Sequence, residues 1–244
     1  MLKLLTETLP DVAEDTPFGC KVRSAAAAYG LHEPFEQFWV QDGGTVLAKI
    51  DTEAAVAEGG SMDAEEMRAF LRTLDLKRLS CMEETAEHLG LPVSRRGEIM
   101  VLRPERIARG TYADVKMDPS PREIHSLLAQ AGDGTFPVPE FEPFYMDLSF
   151  RTRHGAALSA GVYQGDRIAA CAVCSSMTEH AAVISAVACV PGLRRRGYGH
   201  TAVEALAGKL NRENVYIFRA EGENEEFYHF LGFEPYGAWA EISF

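Results

Sequence analysis

At 244 residues the chain exceeds the usual single-domain size, so two domains, or one domain with a large extension, are expected. A composition of 46% hydrophobic and 25% charged residues excludes disordered, collagen-like and low-complexity classes. Lys and Arg number 24 against 36 Asp and Glu, and the resulting net charge of −12 opposes a general nucleic-acid or acidic-membrane surface by long-range repulsion.

The N-terminal stretch, residues 1–15, has a short apolar patch and four acids, so it lacks the apolar region of a signal peptide. No apolar run approaches the roughly 20 residues needed to span a bilayer. Cysteines 20, 81, 171, 174 and 189 are odd in number and scattered, which fits a reducing compartment, with cytoplasm as the expected location.

In the first half, residues 38–50 read as a hairpin turning at Asp42-Gly43-Gly44. Residues 58–66, Glu-Gly-Gly-Ser-Met-Asp-Ala-Glu-Glu, precede a helix to Leu74, and their acids suit a helix N-terminus. A later helix through 85–89 ends at Leu89-Gly90-Leu91, and residues 98–102 read as a strand. Between the halves, residues 116–121 carry two prolines and a serine, which disfavour regular structure and then offer a helix start. The boundary is placed near 118, giving domains 1–118 and 119–244.

The second half opens with helices over 121–130 and from 141 to about 153. Strands near 157–163, 167–175 and 181–190 follow, the first two joined by a turn at Gln164-Gly165-Asp166. Then come a helix over 198–211, a strand over 215–220, a short helix over 224–231 and a last strand near 238–243. Three hairpin-linked strands followed by strand–helix–strand predict a mixed α/β sheet, antiparallel first and parallel afterwards. Cys171 and Cys174 form a C-x-x-C inside a strand, where positions three apart face opposite ways, so no metal site is expected.

The two halves echo each other. Val40-Gln41-Asp42-Gly43 resembles Val162-Tyr163-Gln164-Gly165, 122 residues on, and Leu89-Gly90-Leu91 resembles Leu231-Gly232-Phe233, 142 residues on. A weak tandem duplication, with about 20 residues fewer in the first copy, accounts for both; short chance matches are the alternative.

The chemistry concentrates in Gly192-Leu193-Arg194-Arg195-Arg196-Gly197-Tyr198-Gly199, between the strand ending at Val190-Pro191 and a helix whose apolar positions are Ala202, Val203, Leu206 and Leu210. Free N–H groups at a helix start attract an anion, glycine lets backbone approach it, and three arginines add charge in an acidic chain. A pyrophosphate is the natural occupant. The loop is neither a Walker loop nor a dinucleotide G-x-G-x-x-G.

Arg194-x-x-Gly197-x-Gly199 in this context resembles the R/Q-x-x-G-x-G/A signature of the GNAT acyltransferase superfamily, and Phe227-Tyr228-His229-Phe230-Leu231-Gly232-Phe233 is similar to the helix and turn that end a GNAT domain. The resemblance covers about residues 119–244. It implies a GNAT acyl-CoA N-acyltransferase fold, tandem with a degenerate first copy, and acetyl-CoA (coenzyme A) as the acyl donor. It also implies a cleft between splayed strands, where backbone groups of Cys189 and Val190 pair with the pantetheine arm while Arg194, Arg195, Arg196, Gly197, Tyr198 and Gly199 hold the diphosphate. Cys189 stands where the family more often shows valine; a covalent acyl-cysteine is the minor alternative, since buried strand cysteines are usually inert.

Tyr228 inherits the role of protonating the departing thiolate, and a phenol of ordinary pKa, about 10, is protonated at neutral pH. Thiol orientation or packing is the alternative for Tyr228, whereas Phe227, Phe230, Leu231 and Phe233 are expected in the core with Gly232 ending the helix. The family often has an asparagine seven residues before this tyrosine; here Glu221 holds that place and Asn224 lies closer. Glu221 is the candidate base for the acceptor ammonium, ahead of Glu179 and His180. Phe136, Phe141, Phe144 and Tyr145 either line an acceptor pocket or pack a helix on the sheet.

The expected activity is N-acetylation of a primary amine on a small molecule or amino compound by direct attack. A coenzyme-binding sensor without turnover, or transfer of another acyl group, is the alternative. The oligomeric state is open, with a homodimer as the candidate assembly. The first copy is expected to bind no coenzyme, because Asp63, Glu65 and Glu66 would repel a pyrophosphate at the equivalent helix start and no arginine precedes its glycines.

Overall fold

In the computed structural model the described residues are 1–10, 16–103, 114–132 and 138–244. In chain order the strands are β1 (Lys3–Leu4), β2 (Glu36–Val40), β3 (Val46–Ile50), β4 (Glu53–Ala57), β5 (Arg78–Met82), β6 (Arg95–Leu102), β7 (Val115–Met117), β8 (Leu158–Gln164), β9 (Arg167–Met177), β10 (Ala181–Cys189), β11 (Asn214–Ala220) and β12 (Glu234–Ser243). The helices are α1 (Pro17–Tyr29), α2 (Ala64–Leu71), α3 (Glu83–Leu89), α4 (Pro121–Ala131), α5 (Phe141–Arg153), α6 (Tyr198–Leu210) and α7 (Glu225–Phe230). Among the described residues no helix is long and apolar enough to cross a membrane.

These elements form two units. Unit 1 comprises Met1–Val101 with Phe218–Asn224 and Pro235–Phe244; unit 2 comprises Leu102–Ile217 with Glu225–Glu234.

In unit 1 the strand order is β1-β2-β3-β4-β5-β12-β6. β2, β3 and β4 are antiparallel neighbours, β4 runs parallel to β5, and β12 pairs antiparallel with β5 from Trp239↔Met82 to Ser243↔Arg78. The last strand of the chain therefore completes the sheet of the unit that holds most of the first half. Its Ala240 and Ile242 join a buried cluster with Val56, Met62, Met67, Leu71, Leu79, Cys81, Ala86 and Leu89. Helix α1 was not evident from the sequence. Thr16 caps it by accepting from Gly19 N–H at 3.0 Å, Pro17 fills the first turn, and Phe18 packs edge-on to Phe218 at 5.3 Å. Helix α2 stops at Leu71, short of the expected Leu74, because Thr73 and Leu74 N–H groups bond to Phe70 and Leu71 in tight turns.

In unit 2 the order is β11-β10-β9-β8-β7, antiparallel from β7 to β10 and parallel between β10 and β11. Residues 115–117 form a strand paired to β8 where irregular chain was expected; the prolines begin only at 119, so the pairing ends before they interfere. Ser120 and Glu123 then make a capping box, and Pro121 occupies the first position of α4. One face of this sheet carries Cys171, Val173 and Ala188 against Ile124, Leu127 and Leu128 of α4 and Leu148 of α5. By strand alternation Ala170, Ala172 and Cys174 face the other side, which α6 covers with Ala202, Val203, Leu206 and Leu210, all buried. The small side chains of the central strands let helices approach both faces.

Candidate active site

The ladder between β10 and β11 has four pairs, Ala181↔Asn214 to Ile184↔Ile217, and stops there. At that point β10 carries a bulge that leaves Ser185 out of register with β9, and the burial of β10 changes with it: Ala181–Ile184 are buried, Ser185 is exposed, and Ala186, Val187 and Cys189 are half-buried. An exposed residue in the middle of a strand with sheet on both sides of its first half marks an opening. Ser185 Oγ donates to Val173 C=O at 3.3 Å, which turns the hydroxyl back along the sheet.

Pairing geometry decides which backbone groups face that opening. Val190 N–H donates to Ala169 C=O at 2.9 Å, which makes Cys189↔Ala170 a non-hydrogen-bonded pair whose N–H and C=O point away from β9. Val190 C=O accepts from Leu193 N–H at 2.8 Å. Both backbone groups of Val190 are engaged inside unit 2, whereas the N–H and C=O of Cys189 point away from β9. Burial pushes the Cys189 thiol above its ordinary pKa while Arg194 pulls the other way, so the thiol is a poor nucleophile.

From Val190 the chain makes a 3-10 turn over Pro191–Leu193, passes Arg195 at φ 63° and Gly197 at φ 87°, and enters α6. The first helical bond is Thr201 N–H to Gly197 C=O at 2.9 Å, and Gly197, the residue before the helix, supplies no capping side chain. The N–H groups of residues 195–200 thus meet no backbone acceptor among the described residues, and Arg194, Arg195, Arg196 and Gly197 are exposed. Nothing lies within 4 Å of a Cβ added at Gly197, so its requirement for glycine comes from the left-handed φ alone. Arg194 is directed elsewhere: its guanidinium donates to Ala131 C=O at 2.8 Å, tying the loop to the carbonyl end of α4, where a cation is favoured by about 0.3–1 kcal/mol.

Helix α7 packs on the start of α6. A Cβ at Gly199 would touch the Phe227 ring at 3.7 Å, Phe227 lies edge-on to Tyr228 at 5.0 Å, and Tyr228 lies edge-on to Phe233 at 5.6 Å. Leu231 and Phe233 are buried. Phe230 is not the core residue expected: it is 80% exposed, because α7 is too short to wrap more than one face, and its ring meets that of His200 at 5.3 Å.

The segment 122–233 matches the model of the Acetyltransferase (GNAT) family. This segment is a GNAT domain. No curated protein matches the chain. Among solved structures, a GCN5-related N-acetyltransferase from Kribbella flavida aligns over 95% of this chain and 96% of its own, with a TM-score of 0.65 and 16% identity. A tandem GNAT protein from the clavulanic acid biosynthesis pathway aligns over 99% and 97%, with a TM-score of 0.59 and 15% identity. A GCN5-related N-acetyltransferase from Sphaerobacter thermophilus aligns over 96% of each chain, with a TM-score of 0.56 and 14% identity. At these identities the likeness is one of fold, and it extends over both halves of the chain.

Within the GNAT domain, Cys189, Val190, Arg194 to Gly199 and Tyr228 all belong to unit 2, whereas Glu221 and Asn224 belong to unit 1. Glu221 is exposed one residue past β11, and Asn224, at φ 54°, sits just before α7. Glu179 and His180 lie in the β9–β10 turn at the zipped end of the parallel ladder; His180, paired with Glu213 at 3.0 Å, is about 16 Å of strand from Ser185. Topology sets both aside as bases. Of the aromatic group, Phe144 packs on the core, Arg122 stacks over Phe141 and Tyr145 at 5.2 and 4.9 Å, and Phe136 lies outside the described residues.

Two side chains were missed from the sequence. Ser185 could have been found as the one polar residue in the apolar run from Ala181 to Val190. Arg219 is buried near the end of β11, ion-paired with Glu98, and its Nη1 donates to Glu223 C=O at 3.1 Å, which ties down the loop carrying Glu221. Its only signal was a charge inside an apolar strand.

The first copy shows the same layout with the opening filled. Its parallel ladder also stops early, after Ala55↔Ser80, but the residues beyond, Val56, Ala57 and Cys81, are at most 1% exposed. At the start of α2 the Asp63 carboxylate accepts from Glu65 and Glu66 N–H at 3.1 and 3.0 Å, where Gly197 leaves the start of α6 bare.

Proposed function

We propose that the chain is an acetyl-CoA-dependent N-acetyltransferase that acts on a primary amine of a small molecule or amino compound, with residues 119–244 as the catalytic copy and 1–118 as a degenerate one. The observation that carries the proposal is the uncapped, exposed start of α6, flanked by three arginines and following directly on the strand that parts from its parallel neighbour. An open helix N-terminus with left-handed glycine before it fits a diphosphate, and the outward N–H and C=O of Cys189 fit an extended amide arm laid along β10. In the first copy the Asp63 carboxylate already occupies the corresponding N–H groups, so that copy has no place for an anion.

Acetyl-CoA, when bound, supplies an acetyl group activated as a thioester. The chain's residues then have three tasks. Amides of 195–200 hold the diphosphate and fix the depth of the arm. A base must take the proton from the acceptor ammonium so that the nitrogen lone pair is free to form the new C–N bond, and Glu221, on a loop fastened by Arg219, is the candidate carried over from the sequence. Tyr228, steadied between Phe227 and Phe233, would give its phenolic proton to the sulfur as the C–S bond breaks, so that the coenzyme departs as a neutral thiol and the phenolate stays on the chain.

The test is thiol release from acetyl-CoA across polyamines, amino acids, aminoglycosides and peptide N-termini, with Tyr228→Phe beside the unaltered protein. Turnover with at least one amine is expected, and Tyr228→Phe should lower kcat by about 10²-fold with unchanged coenzyme affinity. Coenzyme binding without thiol release from any amine would instead identify a binding module.

A further inference from the structure

Arg151 stands where the pattern of α5 calls for an apolar side chain. Phe144 and Leu148 turn to the sheet, and Arg151, the next position of the same helical stripe, is only 6% exposed. A methionine there would fill a similar volume without burying a guanidinium, so stability alone does not account for the arginine. Its bonds are directed. Nε donates to the Asp147 carboxylate at 2.8 Å, one helical turn back, and Nη1 donates to Ser175 C=O on β9 at 3.4 Å.

The ladder between β9 and β10 passes over Ser175. Pairing steps from Val183↔Ser176 to Ile184↔Cys174, skipping Ser175, and then to Ala186↔Val173, skipping Ser185. Each strand thus carries one extra residue, and the two offsets cancel. With Ser185 alone in excess, every later pair would slip by one. Ala186 would oppose Cys174 and Ala188 would oppose Ala172, both on the α6 face, although Ala186 and Ala188 belong to the cluster beneath α4. Cys189 would oppose Cys171, with its N–H and C=O drawn into the ladder and away from the opening. We infer that Arg151 is a positioning residue for the site. By holding the Ser175 carbonyl it fixes the β9 bulge that matches the one in β10, and so sets which backbone groups past Ser185 face outward. This rests on the reading of β10 as the strand that receives the coenzyme arm, and adds the side chain that keeps that strand in register.

Native-state hydrogen exchange, read at residues 185–190 with 181–184 as the reference, tests the inference on the full chain and its Arg151→Met variant, beside calorimetric titration with coenzyme A and the thermal midpoint of each protein. Arg151→Met is expected to speed exchange at 185–190 about tenfold, the scale of one hydrogen bond from a charged donor, to leave 181–184 unchanged, and to weaken coenzyme A by a similar factor. Arg151→Lys keeps the charge but not the planar fork that serves Asp147 and Ser175 together, and should show the same pattern. Unchanged exchange at 185–190, or a rise shared by 181–184 with a lowered thermal midpoint, overturns the inference; so does localised exchange with wild-type affinity for coenzyme A. Localised faster exchange in Arg151→Met, with no coenzyme A binding by the unaltered protein, upholds the register pin and overturns the acetyl-CoA reading instead.

Discussion

Asp63 and Gly197 each stand one residue before a helix, and the difference between a carboxylate and a hydrogen sets what each helix start can hold. Aspartate satisfies two amides from within; glycine supplies no capping side chain and places a left-handed turn before the helix. Cysteine chemistry follows the same local logic. Burial pushes the Cys81, Cys171 and Cys174 thiols up to about 12, so at pH 8 each is about one part in 10⁴ thiolate. Alkylation of the folded protein at pH 8 should label the half-buried Cys189 slowly and spare Cys20, Cys81, Cys171 and Cys174; prompt modification of Cys171 or Cys174, read by mass spectrometry, would show that the strand is not packed as described. The arginine–glycine run was legible as an exposed turn opening a helix because residue type and spacing alone define it. That Arg194 serves α4, and that Phe230 faces solvent, was not legible, since both depend on where other helices dock.

Elements with strong local signals came out of the sequence nearly as folded: α4, α5 and the strands flanking Gly165 carry caps, periodicity and turn residues of their own. Helix α1 was missed because its run of alanines carries little periodicity and its cap, Thr16, lacks a glutamate partner three residues on. Strand β7 was missed because a three-residue strand owes its pairing to β8 and not to its own sequence. Helix α4 is held to β8 by a bond no sequence pattern announces, Tyr163 OH donating to Glu123 Oε1 at 3.2 Å. Burial, reinforced by the Glu123 carboxylate, raises the Tyr163 phenol to about 12. Because the folded pKa lies above the unfolded one, this contribution is complete below pH 10 and is lost as pH rises from 10 towards 12. Urea unfolding at pH 9 and pH 11 should show the wild type losing on the order of 1 kcal/mol more than Tyr163→Phe over that interval; equal losses would remove the bond from the account.

At the scale of the whole chain, two copies of one layout are visible: hairpin strands, a parallel pair that parts early, a helix between, and a short helix closing on Leu-Gly. The echo at 122 and 142 residues pointed to this, but the grouping of β12 with β5 did not, because strand partners are chosen by long-range packing of Ala240 and Ile242 that no local spacing encodes. One copy keeps its opening half-exposed and its helix start bare; the other seals the first with Val56, Ala57 and Cys81 and fills the second with Asp63. The central claim is therefore a count. Isothermal calorimetry with acetyl-CoA should give one site per chain, abolished in Gly197→Asp, where a carboxylate at φ 87° takes the anion's place. No binding, two sites per chain, or undiminished binding by Gly197→Asp would contradict it.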